Sequence, residues 1–173
     1  IITTPHLADM DAAELARRIR EEGLDVPVVL LAWDTRELSD FQARKDTSAI
    51  ERTFLWQGDA RTLVSIVKSV EDWRNAEHDA LAVGVQVIIL VEDNVRYYSS
   101  FLPVMYTELL HHSQRVIVEG LNLSQKILRM RARPKILLCT TWEEAERAFG
   151  RYADEVLGII SDVEFPRGGA KYR

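Results

Sequence analysis

Cysteine is almost absent from this sequence. The single Cys139 lies inside the apolar run KILLC, which excludes a disulfide framework and any CxxC pair, and fits a reducing cytosol. Positive charge is not in surplus: 22 Lys and Arg stand against 27 Asp and Glu, a net charge of −5. That balance argues against a nucleic-acid-binding surface, which needs clustered basic residues. No apolar run approaches the ~20 residues of a membrane span, and no signal peptide is visible. A Gly-rich phosphate loop and low-complexity tracts are missing too. What remains is an ordinary globular composition, 47% apolar and 28% charged, in 173 residues, enough for one domain or two small ones. The expected setting is cytoplasmic, without membrane or nucleic acid. The chain opens on Ile1 within an apolar run and stops at GGAKYR, so a piece of a longer protein is expected.

Helical and strand-like periods alternate along the chain. DAAELARRIREEG (Asp11 to Gly23) spaces Leu15 and Ile19 as a helix does, with Gly23 as its C-cap. PVVLLAW (Pro27 to Trp33) is a short continuous apolar run, as in a strand covered on both faces. TFLWQ (Thr53 to Gln57) is a second strand, and Leu63, Ile66, Val67, Val70 and Trp73 then share one helical face. Continued to Gly84, that helix would hold about 26 residues and span about 39 Å, so a break near Asn75 is expected. VQVIILVED (Val85 to Asp93), PKILLCT (Pro134 to Thr140) and VLGIISD (Val156 to Asp162) are three more strands. Between them lie a long helix from Val95, with a kink expected at Pro103, and the helix WEEAERAFGRYA. Alternating β and α units predict a parallel sheet with helices on both faces.

Two of these strands end in acids. ILVEDN delivers Glu92 and Asp93, and GIISDVEFP delivers Asp162 with Pro166 four residues on. In a parallel α/β sheet ligands gather at the C-terminal strand ends. Three carboxylates held together repel one another unless a cation or a proton intervenes, and Mg²⁺ is the cation suited to a few carboxylates plus waters. The bland alternative is that each acid caps a helix or faces solvent.

These residues resemble the receiver domain of two-component response regulators. There, one strand ends in an acidic pair and another in a phospho-accepting Asp followed four residues later by Pro, as VED (Val91 to Asp93) and SDVEFP (Ser161 to Pro166) do here. The resemblance implies Asp162 as phosphoacceptor, and Glu92, Asp93 and Asp162 as ligands of Mg²⁺. It also implies a histidine kinase or phosphotransfer protein as partner and a regulatory role rather than an enzymatic one. TTPHLADMDAAELARRIREEGLDVPVVLLAWD resembles the later part of a second receiver copy. In that copy Ala32 stands where the family has Thr or Ser, Gln57 where it has Lys, and Phe54 at its aromatic switch position; Ile1 replaces the acceptor.

The chain therefore reads as a degenerate C-terminal half-receiver (residues 1–74), a helical linker (75–84) and the N-terminal half of another receiver (85–173). The implied fold is a three-layer α/β/α arrangement about a five-stranded parallel, flavodoxin-like sheet with a helical extension. It would be completed either by circular permutation or by swapping in a homodimer. NVRYYSSFLPVMYTELL and RARPKILLCTTWEEA are similar to receiver-like regions preceding phosphoenolpyruvate synthase-type ATP- and pyruvate-binding modules. That similarity suggests the regulatory region of a phosphoenolpyruvate synthase or pyruvate phosphate dikinase-like protein. The alternative is a non-phosphorylated pseudo-receiver that mediates interaction or dimerisation. A dehalogenase-type phosphatase fits poorly, because Glu164 stands where its second Asp belongs. His111 and His112 point about 100° apart on a helix and make no joint metal site. RMRARPK (Arg129 to Lys135) reads as a solvated basic helix end.

Overall fold

The computed structural model describes residues 1–118, 133–168 and 170–171. In chain order the elements are β1 (Ile2–Thr3), α1 (Ala12–Glu21), β2 (Val29–Ala32), α2 (Thr35–Arg44), β3 (Arg52–Leu55) and α3 (Arg61–Ala76). β4 (Val87–Val91), α4 (Val95–Val118), β5 (Lys135–Cys139), α5 (Trp142–Tyr152), β6 (Val156–Ser161), β7 (Pro166–Arg167) and β8 (Ala170–Lys171) follow. Three of the helices start on side-chain caps: Asp11 accepts from the Glu14 amide, Asp34 from those of Arg36 and Glu37, and Thr141 from that of Glu144. Past the end of α1, Gly23 has φ 71°, a conformation that glycine adopts without a Cβ clash. α3 does not run on as one α-helix. In place of the break expected near Asn75, it passes directly into a π-helix at Glu77–Ala82, and the chain then turns at Gly84 with φ 75°. α4 carries Pro103 inside it; the Pro103 carbonyl accepts from the Thr107 hydroxyl at 2.6 Å. The RMRARPK stretch lies mostly outside the described residues.

In place of one five-stranded sheet the strands form two three-stranded parallel sheets, ordered β1-β2-β3 and β5-β4-β6, and an antiparallel β7-β8 pair. β1 takes the place beside β2, pairing Ile2 with Val29 and Thr3 with Leu30. The other edge of that sheet is closed by α4. The Tyr98 hydroxyl donates to the Thr53 carbonyl at 2.7 Å, and the Leu55 amide donates to the Ser99 hydroxyl at 3.0 Å. Side chains of a helix thus satisfy the backbone groups that a neighbouring strand would have used.

The two sheets nonetheless share a core. Val29 and Phe54 of the first sheet pack in one buried cluster with Leu90, Ile136 and Leu138 of the second, joined by Ile66 of α3 and by Tyr98, Leu102 and Tyr106 of α4. Beneath it lies a buried polar knot. Asp72 of α3 is fully buried and accepts from Arg133 at 2.6 Å, from the Tyr106 hydroxyl at 3.0 Å and from the Ile136 amide at 2.9 Å. Lys135 approaches Asp72 at 3.7 Å and pairs with Asp79 of the π-helix at 2.6 Å. A buried carboxylate is tolerated only when it is paired and hydrogen-bonded in this way. The knot pins α3, which follows the first sheet, to β5 of the second.

Candidate metal centre

Parallel register brings the acids together. Val91, the last residue of β4, lies opposite Ser161, the last of β6. One residue further, the Glu92 amide donates to the Cys139 carbonyl at 3.0 Å and the Asp162 amide to the Val91 carbonyl at 2.8 Å. Glu92, Asp93 and Asp162 therefore leave adjacent strands side by side, at the point where the chain order reverses around β4. One carboxylate oxygen from each lies within 4.8 Å of the others. Glu92 is buried at 4% exposure, while Asp93 and Asp162 are half-buried. Local bonds orient two of them: the Asn94 amide donates to Glu92 at 3.0 Å, and the Val163 amide donates to Asp162 at 2.6 Å.

The donor set fits a hard divalent ion. With Mg–O bonds of about 2.0–2.1 Å, oxygens on opposite sides of the ion are about 4.2 Å apart, and about 5 Å apart around Ca²⁺. Three carboxylate oxygens within 4.8 Å of one another are a group that could hold such an ion once drawn closer around it. Cys139 contributes nothing to this chemistry: it is fully buried, and burial pushes its thiol up to about 12. His111 and His112 lie on the exposed face of α4.

The remaining positions named from sequence make other contacts. Ala32 ends β2 fully buried and offers no hydroxyl. Phe54 is fully buried and packs edge-to-face on Tyr98, with ring centroids 5.6 Å apart, so it is a core residue. Gln57 reaches α4 instead, donating to the Arg96 carbonyl and accepting from the Ser100 hydroxyl, each at 2.8 Å.

Two features of the site escaped sequence reasoning. The segment after Asp162 folds back on the start of α5: Phe165 stacks on Trp142 at 6.2 Å, the Arg167 guanidinium covers the same ring at 4.7 Å, and the Gly168 amide donates to Glu143 at 2.6 Å. That amide bond holds the Glu143 carboxyl below its usual range. The second is a cavity of about 320 Å³ into which Asp93 opens, with Arg52, Thr53, Gln42, Tyr98 and Thr140 among its walls. The spacing F-x-R three residues after Asp162, beside a Trp that opens a helix, was the available signal for the first; no local signal exists for the second.

Compared with known protein-family models, curated proteins and solved structures, the chain matches none. Among the described residues no helix is long and apolar enough to cross a membrane.

Proposed function

We propose that this chain is a receiver-type signalling segment in which Asp162 accepts a phosphoryl group in the presence of Mg²⁺. The observation that carries the reading is the meeting of Glu92, Asp93 and Asp162 within 4.8 Å at the ends of β4 and β6. Strand order supports it. β5-β4-β6 corresponds to the 2-1-3 portion of a flavodoxin-like sheet, whose ligand site lies between strands 1 and 3, and β2-β3 runs in the sequential order of its strands 4 and 5, with β1 as an additional strand beside β2. Glu92, Asp93 and Asp162 would hold the ion. Its charge, when bound, screens the approach of an anionic phosphoryl group to a carboxylate nucleophile.

In the transfer, an Asp162 carboxylate oxygen forms a new bond to phosphorus as the P–N bond of a partner's phosphohistidine breaks. The histidine nitrogen keeps the bonding pair and takes up a proton. Asp162 is half-buried and oriented by the Val163 amide, so one carboxylate oxygen is held in place. The partner is a cytoplasmic histidine kinase or phosphotransfer protein. A second copy of this chain is a further partner, since Leu157, Ile159 and Ile160 of β6 are each about half exposed. The output is regulation of an attached or partner enzyme of the phosphoenolpyruvate synthase kind.

A second reading has its own observation. Ala32 supplies no hydroxyl and Gln57 no cation, and Phe54 is locked in the core, so these three positions do not answer a phosphorylated Asp162. In this reading the segment is an interaction module with an acidic pocket. Tryptophan fluorescence separates the two, because Trp142 is stacked on the segment that follows Asp162. A saturable response to beryllofluoride that requires Mg²⁺ and vanishes in Asp162→Asn is the expected result. A response to Mg²⁺ alone supports the interaction module.

A further inference from the structure

Arg52 also lines a second cleft, of about 270 Å³, and this one is basic. Arg52 of β3 and Arg147 and Arg151 of α5 line it, with Trp73 and Tyr152 as aromatic walls and Glu144 as the one carboxylate. Three guanidiniums against one carboxylate stand out on a chain whose net charge is −5. The residues come together by helical spacing: Glu144, Arg147 and Arg151 lie on one face of α5, at i, i+3 and i+7.

The guanidiniums keep donor capacity. Arg147 spends its Nε on the Glu143 carbonyl at 3.1 Å, and among the described residues its terminal amino groups are in no ion pair. Arg52 makes long contacts, 3.4 Å to Glu144 and 3.3 Å to the Leu138 carbonyl, and lies 5.4 Å over the Trp73 ring. Arg151 pairs with Glu77, but both side chains are more than half exposed, and such a pair is worth little and exchanges readily. Guanidiniums converging on a partly apolar cleft are the chemistry that captures phosphate or carboxylate groups.

We infer that this cleft binds a small phosphorylated or polycarboxylate anion, held by Arg52, Arg147 and Arg151 against Trp73. Its volume falls just below that of pockets for drug-sized ligands, so the ligand is a compact metabolite rather than a nucleotide-sized one. None of its lining residues belongs to the acidic group, though Arg52 also borders the cavity beside Asp93, and the proposal does not rest on the phosphoacceptor reading.

The test is calorimetric titration of the whole chain with inorganic pyrophosphate in metal-free buffer, with tryptophan emission followed in parallel. Wild type should bind saturably at one site, more weakly as salt rises. Arg147→Ala combined with Arg151→Ala should weaken binding by about tenfold or more with an unchanged circular dichroism spectrum, and Arg147→Gln alone should weaken it less. Asp162→Asn should bind as wild type does. No saturable binding at millimolar pyrophosphate, equal affinity in the double variant, or loss only in Asp162→Asn would each overturn the proposal.

Discussion

At the ends of β4 and β6 the chain places Glu92, Asp93 and Asp162; at the end of β2 it places Ala32, and two residues past β3 it places Gln57. Both sheets are parallel and three-stranded, and both feed helices that pack into one core. The strand order differs, sequential in the first sheet and reversing around β4 in the second, and so do the side chains at the strand ends. A parallel sheet presents its strand ends to whatever residues follow: the second sheet gathers three carboxylates there, whereas Asp34, two residues past β2, is spent on capping α2. Gln57 shows what the first sheet does with that position, since both ends of its amide are spent on holding α4.

The largest effect should come from cutting the knot between the two regions. Asp72→Ala leaves Arg133 and Lys135 without their buried partner and should cost about 3–5 kcal/mol, read as a lower denaturant midpoint. A loss below 1 kcal/mol would mean that the two sheets do not depend on this contact.

With Mg²⁺ at about a hundredfold over its dissociation constant, wild type should gain about 2.7 kcal/mol and Asp162→Asn much less. Without metal, Asp162→Asn should be slightly more stable than wild type, by under about 1 kcal/mol, because one of three crowded charges is removed. Gln57→Ala should leave the metal response unchanged, which sharpens the contrast between the sheets.

Ser99→Ala should cost about 1–3 kcal/mol by leaving the buried Leu55 amide unpaired, and Tyr98→Phe about 1 kcal/mol. Neither change should alter metal affinity.

The smallest effect at neutral pH belongs to Cys139. Its thiol is raised from 9.0 to about 12 by burial, so the folded state favours the protonated form. This contribution is fully present below pH 9 and is lost as pH rises from 9 toward 12, where the unfolded chain ionises first. Slow alkylation of Cys139 at pH 8 that becomes fast on unfolding checks the assignment.

Much of this was legible in the sequence. Apolar runs ending in acids marked β4 and β6, and one parallel register sufficed to bring the acids together. The split into two sheets was not legible, because it rests on Tyr98 and Ser99 meeting a strand more than forty residues earlier. α2 was also missed: TRELSDFQAR buries only Leu38 and Phe41, too few positions to show a period. The same holds for β1 and the β7-β8 pair, whose two-residue strands carry no pattern. The basic cleft joins Arg52 to α5 across 92 residues, a distance at which local patterning says nothing.

The most direct test of the phosphoacceptor reading is intact-mass spectrometry after incubation with acetyl phosphate, with and without Mg²⁺, on wild type and Asp162→Asn. The account predicts one added phosphoryl group on wild type, labile to hydroxylamine as an acyl phosphate is, dependent on Mg²⁺ and absent from the variant. No added mass on wild type, or the same mass added to Asp162→Asn, would contradict it.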